Sequence, residues 1–190
     1  MSLTTRTRTR LARLAFSLAA AGLVPALVLA TTVPARAGLL SFQEVERDGI
    51  DGIAGLNGPE GLAISPDGLN LYVASYNDSA VAVFRRDPAT GNLTFFELQQ
   101  DGVGGVTLMH GARAVAVSPD GTHVYVAANW ADALVVFSRD PSTGALTFVM
   151  SIDEGLDNVN GLNGAAAIVL SPDGREIYVG TDYSEVTVYS

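Results

Sequence analysis

The chain has 190 residues, with 11 arginines, no lysine, no cysteine and 20 acidic residues, and its formal net charge at pH 7 is −9. An acidic chain without lysine lacks the clustered cations that release counterions from a phosphate backbone, so no nucleic-acid partner is predicted. The absence of cysteine excludes disulfide and thiol chemistry, and packing alone must supply the stability of the fold.

Residues 1–37 predict a secretory signal peptide. Four arginines between positions 6 and 13 precede an apolar stretch, Leu14 to Ala30, and a small-residue cleavage sequence ends at Ala37. An uncleaved membrane anchor is the alternative, because the apolar stretch approaches the length of a short span. Pro25 interrupts the stretch and favours cleavage. The sequence therefore predicts export to the periplasm or the extracellular space, without membrane contact after cleavage.

Residues 38–190 form a tandem repeat. The tetrapeptide Ser-Pro-Asp-Gly begins at Ser65, Ser118 and Ser171, a constant spacing of 53 residues. Glycine, leucine and aromatic positions recur at the same spacing, and the third copy has lost one residue near Ser184. The units are 38–90, 91–143 and 144–190. A recurrence this regular predicts a repeat architecture.

Each unit contains four short apolar runs, which we label a, b, c and d. Their length and their content of Val, Tyr and Phe predict strands. Ser-Pro-Asp-Gly predicts the tight a–b turn, and the Asp-Pro-x-Thr-Gly sequences at Asp87 and Asp140 predict the c–d turns, because Pro presets φ and Gly supplies a positive φ. In the second copy the runs are Ala114–Val117, Val124–Ala127, Ala133–Phe137 and Leu146–Met150.

A four-stranded meander of this size cannot bury both of its faces alone, so the copies are expected to stack. Strand a is apolar at consecutive positions, as in Ala167–Leu170, which is typical of a strand covered on both faces. A linear stack of sheets satisfies this pattern, but four strands per repeat favour a propeller with strand a lining the central channel. We predict an all-β fold of β-propeller blades, three four-stranded antiparallel meanders.

The pattern from Ala114 to Phe148, Ala-Val-Ala-Val-Ser-Pro-Asp-Gly followed by Val-Tyr-Val-Ala and by Asp-Pro-Ser-Thr-Gly-Ala-Leu-Thr-Phe, resembles the lactonase-type family of seven-bladed propellers. That family includes 6-phosphogluconolactonase-like proteins and fungal carboxymuconate cycloisomerases. The resemblance covers residues 38–190. It implies a small lactone that is hydrolysed or isomerised at the mouth of the channel.

The resemblance also implies seven blades, whereas this sequence supplies about three. We expect the first blade to be preceded by a lone d strand, Leu39 to Val45, and the sequence to end after strand c, Val186 to Tyr189. A partial ring of this kind is completed either by further blades encoded after Ser190 or by a homo-oligomer. An open stack is the third alternative, and it would leave edge strands exposed.

Alternating strand directions place the a–b and c–d turns at one end of the sheets, the turn rim, and the other connections at the opposite end, the loop rim. Variable loops on a rigid scaffold concentrate binding residues, so the loop rim is the predicted functional face. It consists of the d–a loops Glu46–Glu60, Gln99–Arg113 and Ile152–Ala166, and the b–c loops Ser75–Ser79, Ala128–Asp132 and Thr181–Ser184.

Departures from the repeat pick out three candidate catalytic residues on the loop rim. His110 stands where the other copies have asparagine, and the position three residues later reads Glu60, Arg113 and Ala166 in the three copies. A histidine, an arginine and a carboxylate at one opening can polarise a lactone carbonyl and transfer a proton. The alternative is ordinary loop variation, with a salt bridge between Glu60 and Arg113 of neighbouring blades. His123, beside a turn, is expected to be solvated.

The loop rim is also rich in Asp and Asn, whose oxygens suit Ca²⁺, but no known calcium-loop spacing is present. We predict no cofactor, with a divalent ion as the alternative. Each b–c loop carries an aromatic residue, which we interpret as one repeat position that packs between blades or forms a ligand platform: Tyr76, Trp130 and Tyr183. Whether the chain is an enzyme stays open, because a non-catalytic propeller that binds a protein, a glycan or a surface ligand would use the same rim.

Overall fold

The computed structural model describes residues 42–155 and 159–190. The predicted signal peptide and its cleavage site lie outside the described residues. Within the two described segments the chain forms strands and turns only, and it contains no helix long and apolar enough to cross a membrane.

The described residues form eleven strands in three antiparallel sheets, which confirms the all-β prediction. Within each sheet, strands that follow one another in sequence are hydrogen-bonded neighbours, so every sheet is a meander. The first sheet contains β1 (Pro59–Ile64), β2 (Asn70–Ser75), β3 (Ala80–Arg86) and β4 (Leu93–Gln100). The second contains β5 (Ala112–Val117), β6 (His123–Ala128), β7 (Ala133–Arg139) and β8 (Leu146–Asp153). The third contains β9 (Ala165–Leu170), β10 (Ile177–Thr181) and β11 (Val186–Tyr189).

The four predicted strands of the second copy fall within β5 to β8, in the predicted order a, b, c and d. The prediction of four strands per meander is confirmed for the first two sheets. The third sheet contains strands a, b and c, and the sequence ends one residue after β11. The second and third repeat units each begin with the d strand that completes the sheet of the unit before it, β4 and β8 respectively.

The Ser-Pro-Asp-Gly turns have the predicted geometry. Gly68 has φ of 75°, and its amide donates to the carbonyl of Ser65 at 2.8 Å. The Ser65 hydroxyl accepts the amide of Asn70 at 3.0 Å and donates to the Asp67 carboxylate at 2.5 Å. Serine and aspartate therefore close the turn together with Pro and Gly, a role that the sequence pattern alone did not assign to them.

The sheets pack face to face. One core lies between the first and second sheets, where Tyr72 and Val83 meet Val124 and Phe137, and a second core lies between the second and third sheets. The outward face of the first sheet is more open: Leu62 is 63% exposed, whereas Val115, its equivalent one repeat later, is 7% exposed. The middle sheet is thus the one that is covered on both faces.

Strand a is the innermost strand of each sheet, as predicted. β1 packs beside β5, and β5 packs beside β9. A Cβ atom at Gly61 in β1 would lie 2.7 Å from the Cα of Ala114 in β5, so the two backbones nearly touch there. Because the inner strands lie close together, the three sheets radiate from a common axis, as the blades of a propeller do.

The prediction of a lone d strand before the first blade is wrong for residues 42–45, which join no sheet, while residues 39–41 lie outside the described residues. The physical reason is that none of the c strands in residues 42–155 and 159–190 lies beside this segment to complete a ladder. Its side chains nevertheless make the contacts of a d strand. The carboxylate of Glu44 accepts the amide of Leu93 at 2.5 Å, and Glu97 accepts the amide of Leu146 at 2.7 Å in the same way one repeat later.

Candidate functional site at the loop rim

Acidic side chains hold the d–a loops of the loop rim together. Asp48, Asp101 and Glu154 occupy equivalent repeat positions, and each accepts the backbone amide eight residues further on, at 3.1, 2.9 and 2.6 Å respectively. These carboxylates are used within their own loops. In the part of the chain that the structure describes, no group of three or more His, Asp or Glu side chains is placed to hold a metal ion.

Arg113 forms ion pairs with carboxylates of both neighbouring blades on the loop rim. Its Nε lies 3.2 Å from Glu60 Oε2 on the first sheet, and its Nη1 donates to the carboxylate of Asp182 in the third copy. The Arg113 side chain is 32% exposed, and the hydrogen bond that it donates to Asp182 is the main cause that raises the pKa of Arg113, against the opposing effect of burial. The predicted salt bridge between Glu60 and Arg113 is present, and Asp182 extends it across a third blade.

A chain of hydrogen bonds runs across the three blades at one repeat position. The Tyr76 hydroxyl donates to Asn129 Oδ1 at 3.2 Å, and Asn129 Nδ2 donates to Asp182 Oδ2 at 3.1 Å. Each pair is separated by 53 residues, so these three side chains are repeat equivalents. Asp182 therefore connects this chain to Arg113.

The interpretation of Tyr76, Trp130 and Tyr183 as one repeat position is wrong. Tyr76 is equivalent to Asn129 and Asp182, while Trp130 and Tyr183 are equivalent to Asn77. The glycines of the d–a loops confirm this register, because a Cβ atom at Gly58, Gly111 or Gly164 would meet the side chain of Asn77, Trp130 or Tyr183 respectively. A strict count of 53 residues along the sequence would have found the correct register.

Trp130 packs between two other rings of the rim. The Tyr76 ring meets it edge-on, with centroids 4.5 Å apart, and the His110 ring lies 4.9 Å away at a tilt of 34°. Because Tyr76 and Trp130 belong to neighbouring blades, the predicted packing between blades is confirmed for this pair. Trp130 nevertheless remains 52% exposed, and Tyr183 is 66% exposed.

His110 is held by a serine of the neighbouring blade. Ser79 Oγ lies 3.2 Å from His110 Nδ1 and accepts the amide of Gly111 at 3.1 Å. Ser79 is buried and has φ of 52°, in the left-handed region. The contact uses one ring nitrogen of an exposed histidine, so Nε2 is the nitrogen that a ligand can reach. No sequence pattern points to Ser79, because its partner belongs to another blade.

The structure places all three predicted site residues on the loop rim. Glu60 and Arg113 are in direct contact. Among the described residues His110 makes no hydrogen bond to either of them, and it joins the same network through Trp130 and Tyr76. The expectation that His123 is solvated is wrong, because His123 is half-buried on the turn rim, with Nδ1 2.8 Å from Thr122 Oγ1 and its ring 6.2 Å from that of Tyr125.

Three sheets fanned about inner strands, with tight turns at one rim and a polar network at the other, define a protein built from β-propeller blades. The chain belongs to the lactonase family, since the family described as "Lactonase, 7-bladed beta-propeller" matches residues 28–154 and 105–190. No curated protein matches the chain.

Three solved structures of similar fold are about twice as long as this chain. A periplasmic gluconolactonase of Pseudomonas aeruginosa is 26% identical, with a TM-score of 0.57 over 70% of this chain and 36% of that one. A proposed 6-phosphogluconolactonase of Bacteroides fragilis is 22% identical, with a TM-score of 0.59 over 72% of this chain and 35% of that one. A similar protein of Bacteroides uniformis is 22% identical, with a TM-score of 0.57 over 73% and 41%. The chain thus spans well under half of the length of these relatives, and the Bacteroides matches bear on the fold alone.

Proposed function

We propose that this chain forms part of an exported propeller that hydrolyses or isomerises a small lactone at the loop rim, close to the mouth of the channel. The observation that carries the proposal is the position of Arg113. In a chain of the lactonase family, this guanidinium lies at the loop-rim end of an innermost strand and is oriented by Glu60 and Asp182. The predicted export agrees with the periplasmic location named for the Pseudomonas relative.

Hydrolysis of a lactone requires stabilisation of an oxyanion and transfer of a proton. Water adds to the carbonyl carbon and the oxygen gains negative charge, then the ring C–O bond breaks and the ring oxygen takes up a proton. Arg113 supplies fixed donors for the developing oxyanion, the role that preorganised donors play in acyl transfer. His110 takes the proton of the attacking water and returns it to the leaving oxygen. Glu60 positions Arg113.

The charges of the rim favour an uncharged substrate. Two carboxylates, Glu60 and Asp182, already pair with the single positive charge of Arg113, so this cluster carries net negative charge. A phosphorylated lactone would be repelled at this opening. We therefore propose a neutral sugar-type lactone as the substrate class.

Replacement of the two residues by their own repeat equivalents tests this function. His110→Asn introduces the residue found at Asn57 and Asn163, and Arg113→Ala introduces that of Ala166, so the fold is expected to accept both. With gluconolactone in a pH-stat, after subtraction of spontaneous hydrolysis, kcat/KM should fall by about 10²-fold or more in each variant. His123→Asn on the turn rim is the matched control and should retain activity. Absence of catalysed hydrolysis in the unaltered protein, or full activity in both variants, would contradict the proposal.

The exposed rings of Trp130 and Tyr183 support a second candidate, a non-catalytic rim that binds a sugar ring by stacking. Trp130 is the only tryptophan of the chain, so its fluorescence reports on this rim alone. A saturable change of fluorescence on addition of a sugar or glycan, without turnover of any lactone, would favour binding over catalysis. A fluorescence signal that does not respond to any of them would remove this candidate.

A further inference from the structure

A buried guanidinium links the first two blades at the turn rim. Arg139, at the end of β7, is 1% exposed. Its Nε donates to the Tyr72 hydroxyl at 2.7 Å, and its Nη2 donates to Asp67 Oδ2 at 2.7 Å and to Asn70 Oδ1 at 2.8 Å. Its Nη1 donates to the carbonyl of Gly121 at 2.9 Å. The acceptors come from both blades, and together they match the planar fork of donors that only arginine presents.

The same acceptors recur one repeat later, between the second and third blades. Asp120 is equivalent to Asp67, Tyr125 to Tyr72, and Gly174 to Gly121. His123 replaces Asn70 and offers a ring nitrogen in place of an amide oxygen. These four residues line a cavity of about 290 Å³ on the turn rim, together with Ser118, Pro119 and Asp173.

Asp120 is oriented as Asp67 is. In the occupied site, Asp67 Oδ1 accepts the Ser65 hydroxyl and the Leu69 amide, while Oδ2 accepts Arg139. In the cavity, Asp120 Oδ1 accepts the Ser118 hydroxyl at 2.6 Å, and the amide and hydroxyl of Thr122 at 3.0 and 2.8 Å. By the same geometry, Oδ2 of Asp120 is the oxygen left for a ligand. The hydrogen bond from Ser118, followed by those from Thr122, lowers the pKa of Asp120 to about 2, so the carboxylate is charged at neutral pH.

The register of the third sheet fixes where a guanidinium would have to be attached. Ile177 pairs with Tyr189 as Val124 pairs with Phe137, so Tyr189 is equivalent to Phe137 and Ser190 to Ser138. The position equivalent to Arg139 is therefore the one directly after Ser190, in line with β11.

We propose that the cavity between the second and third blades at the turn rim is a guanidinium-binding site, equivalent to the one that holds Arg139. Its ligand is an arginine side chain presented at the position after Ser190, either on a longer form of this polypeptide or on another peptide. The site is independent of the function proposed for the loop rim.

Extended chains test the first source. Three forms of the 190-residue chain carry the sequence of residues 139–145 after Ser190, with Arg, Lys or Ala as the first added residue. We expect the Arg form to melt at least about 3 °C above the Ala form, a shift that a few well-made hydrogen bonds produce in a domain of this size. The Lys form should lie close to the Ala form, because an ammonium cannot reproduce the fork. Equal melting temperatures of the Arg and Ala forms would overturn the proposal.

Variants of the cavity show whether the effect arises at this site. Asp120→Asn should abolish the difference between the Arg and Ala forms, whereas Asp67→Asn lowers the stability of both and leaves their difference intact. Tyr125→Phe removes one hydroxyl and should reduce the difference, which provides a readout if Asp120→Asn does not fold. An Arg effect that survives both Asp120→Asn and Tyr125→Phe contradicts the assignment.

A titration distinguishes the second source. N-acetylarginine amide, but not the lysine analogue, should shift the NMR signals of His123 and Tyr125 in the 190-residue chain if the site accepts arginine from another peptide. Arg175→Ala should leave these shifts unchanged, because the neighbouring Arg175 points to Asp173 from an exposed position. Stabilisation by the attached arginine without any shift from the amide assigns the site to a longer form of the polypeptide. NMR shifts from the amide without stabilisation by the attached arginine assign the site to another peptide. If neither the stabilisation nor the NMR shifts are observed, the proposal of a guanidinium site is overturned.

Discussion

The two rims of the sheets each carry an arginine that bridges neighbouring blades, and the two arginines differ in burial and in the number of their partners. Arg139 on the turn rim is 1% exposed and uses all three guanidinium nitrogens, whereas Arg113 on the loop rim is 32% exposed and contacts two carboxylates that are themselves half in solvent. The tight turns bring rigid acceptors together and exclude water. The longer loops leave their arginine accessible, so the same residue type contributes to stability at one end and, in the function proposed above, contacts a ligand at the other.

Removal of Arg139 should give the largest effect and tests the turn-rim half of this comparison. Arg139→Met should lower the free energy of unfolding by about 3 kcal/mol, because it leaves Asp67 and the Tyr72 hydroxyl without their shared partner. The matched control is Arg86→Met. Arg86 is the equivalent residue one repeat earlier, and among the described residues its side chain makes one hydrogen bond, to Gly68 of its own blade, so we expect a loss of about 1 kcal/mol or less. Equal losses in urea denaturation would contradict the role of Arg139 between blades.

Two equivalent glycines provide a second test of the close packing between blades at the turn rim. Gly144 and Gly91 occupy equivalent c–d turns with φ of 83° and 86°, so an alanine costs similar backbone strain at both positions. A Cβ atom at Gly144 would also lie 2.1 Å from the Asn70 side chain, whereas one at Gly91 would have no atom of the described segments within 4 Å. The Asn70 side chain is buried and accepts a hydrogen bond from Arg139, so it has little freedom to move away. Gly144→Ala should therefore destabilise the chain by about 1–3 kcal/mol more than Gly91→Ala in urea denaturation.

On the loop rim, Arg113→Met should change the free energy of unfolding by only about 1 kcal/mol or less, since partly exposed ion pairs contribute little. Whatever difference is seen should shrink further in 1 M salt, which screens exposed charges. The difference between the unaltered chain and this variant, measured at low and high salt, checks this. A salt-independent loss as large as that of Arg139→Met would break the distinction between the two rims.

The smallest effect concerns the turn aspartates. The pKa of Asp120 is about 2 in the fold, below the usual value of 3.8, chiefly because the Ser118 hydroxyl donates to it. A depressed carboxyl pKa contributes stability that is present above pH 3.8 and is lost as the pH falls towards 2. Ser118→Ala should raise the pKa of Asp120 towards its usual value, as measured by NMR titration of the carboxyl carbon. An unchanged titration midpoint would rule out the serine as the cause.

The local properties of the sequence were sufficient to predict the strands and turns of each blade. They were not sufficient to predict the side-chain contacts between blades. Pro66, Gly68 and the spacing of 53 residues predict turns and strands because these features act within a few residues of the chain. The pairings of Arg113 with Asp182 and of His110 with Ser79 join different blades, and only the packing of the sheets selects such partners. The d-strand pattern that ends at Val45 likewise forms no strand at residues 42–45, because a strand needs a partner to form a ladder and the sequence pattern does not show whether one lies beside it.

The most direct test of the arrangement of three stacked blades is amide hydrogen exchange of the 190-residue chain. We predict the slowest exchange in β6 and β7 of the middle sheet, which is covered on both faces, and clearly faster exchange in the equivalent strands β10 and β11, where Val186 and Val188 are exposed. Equal protection of the second and third sheets, or greater protection of the third, would contradict the stacking.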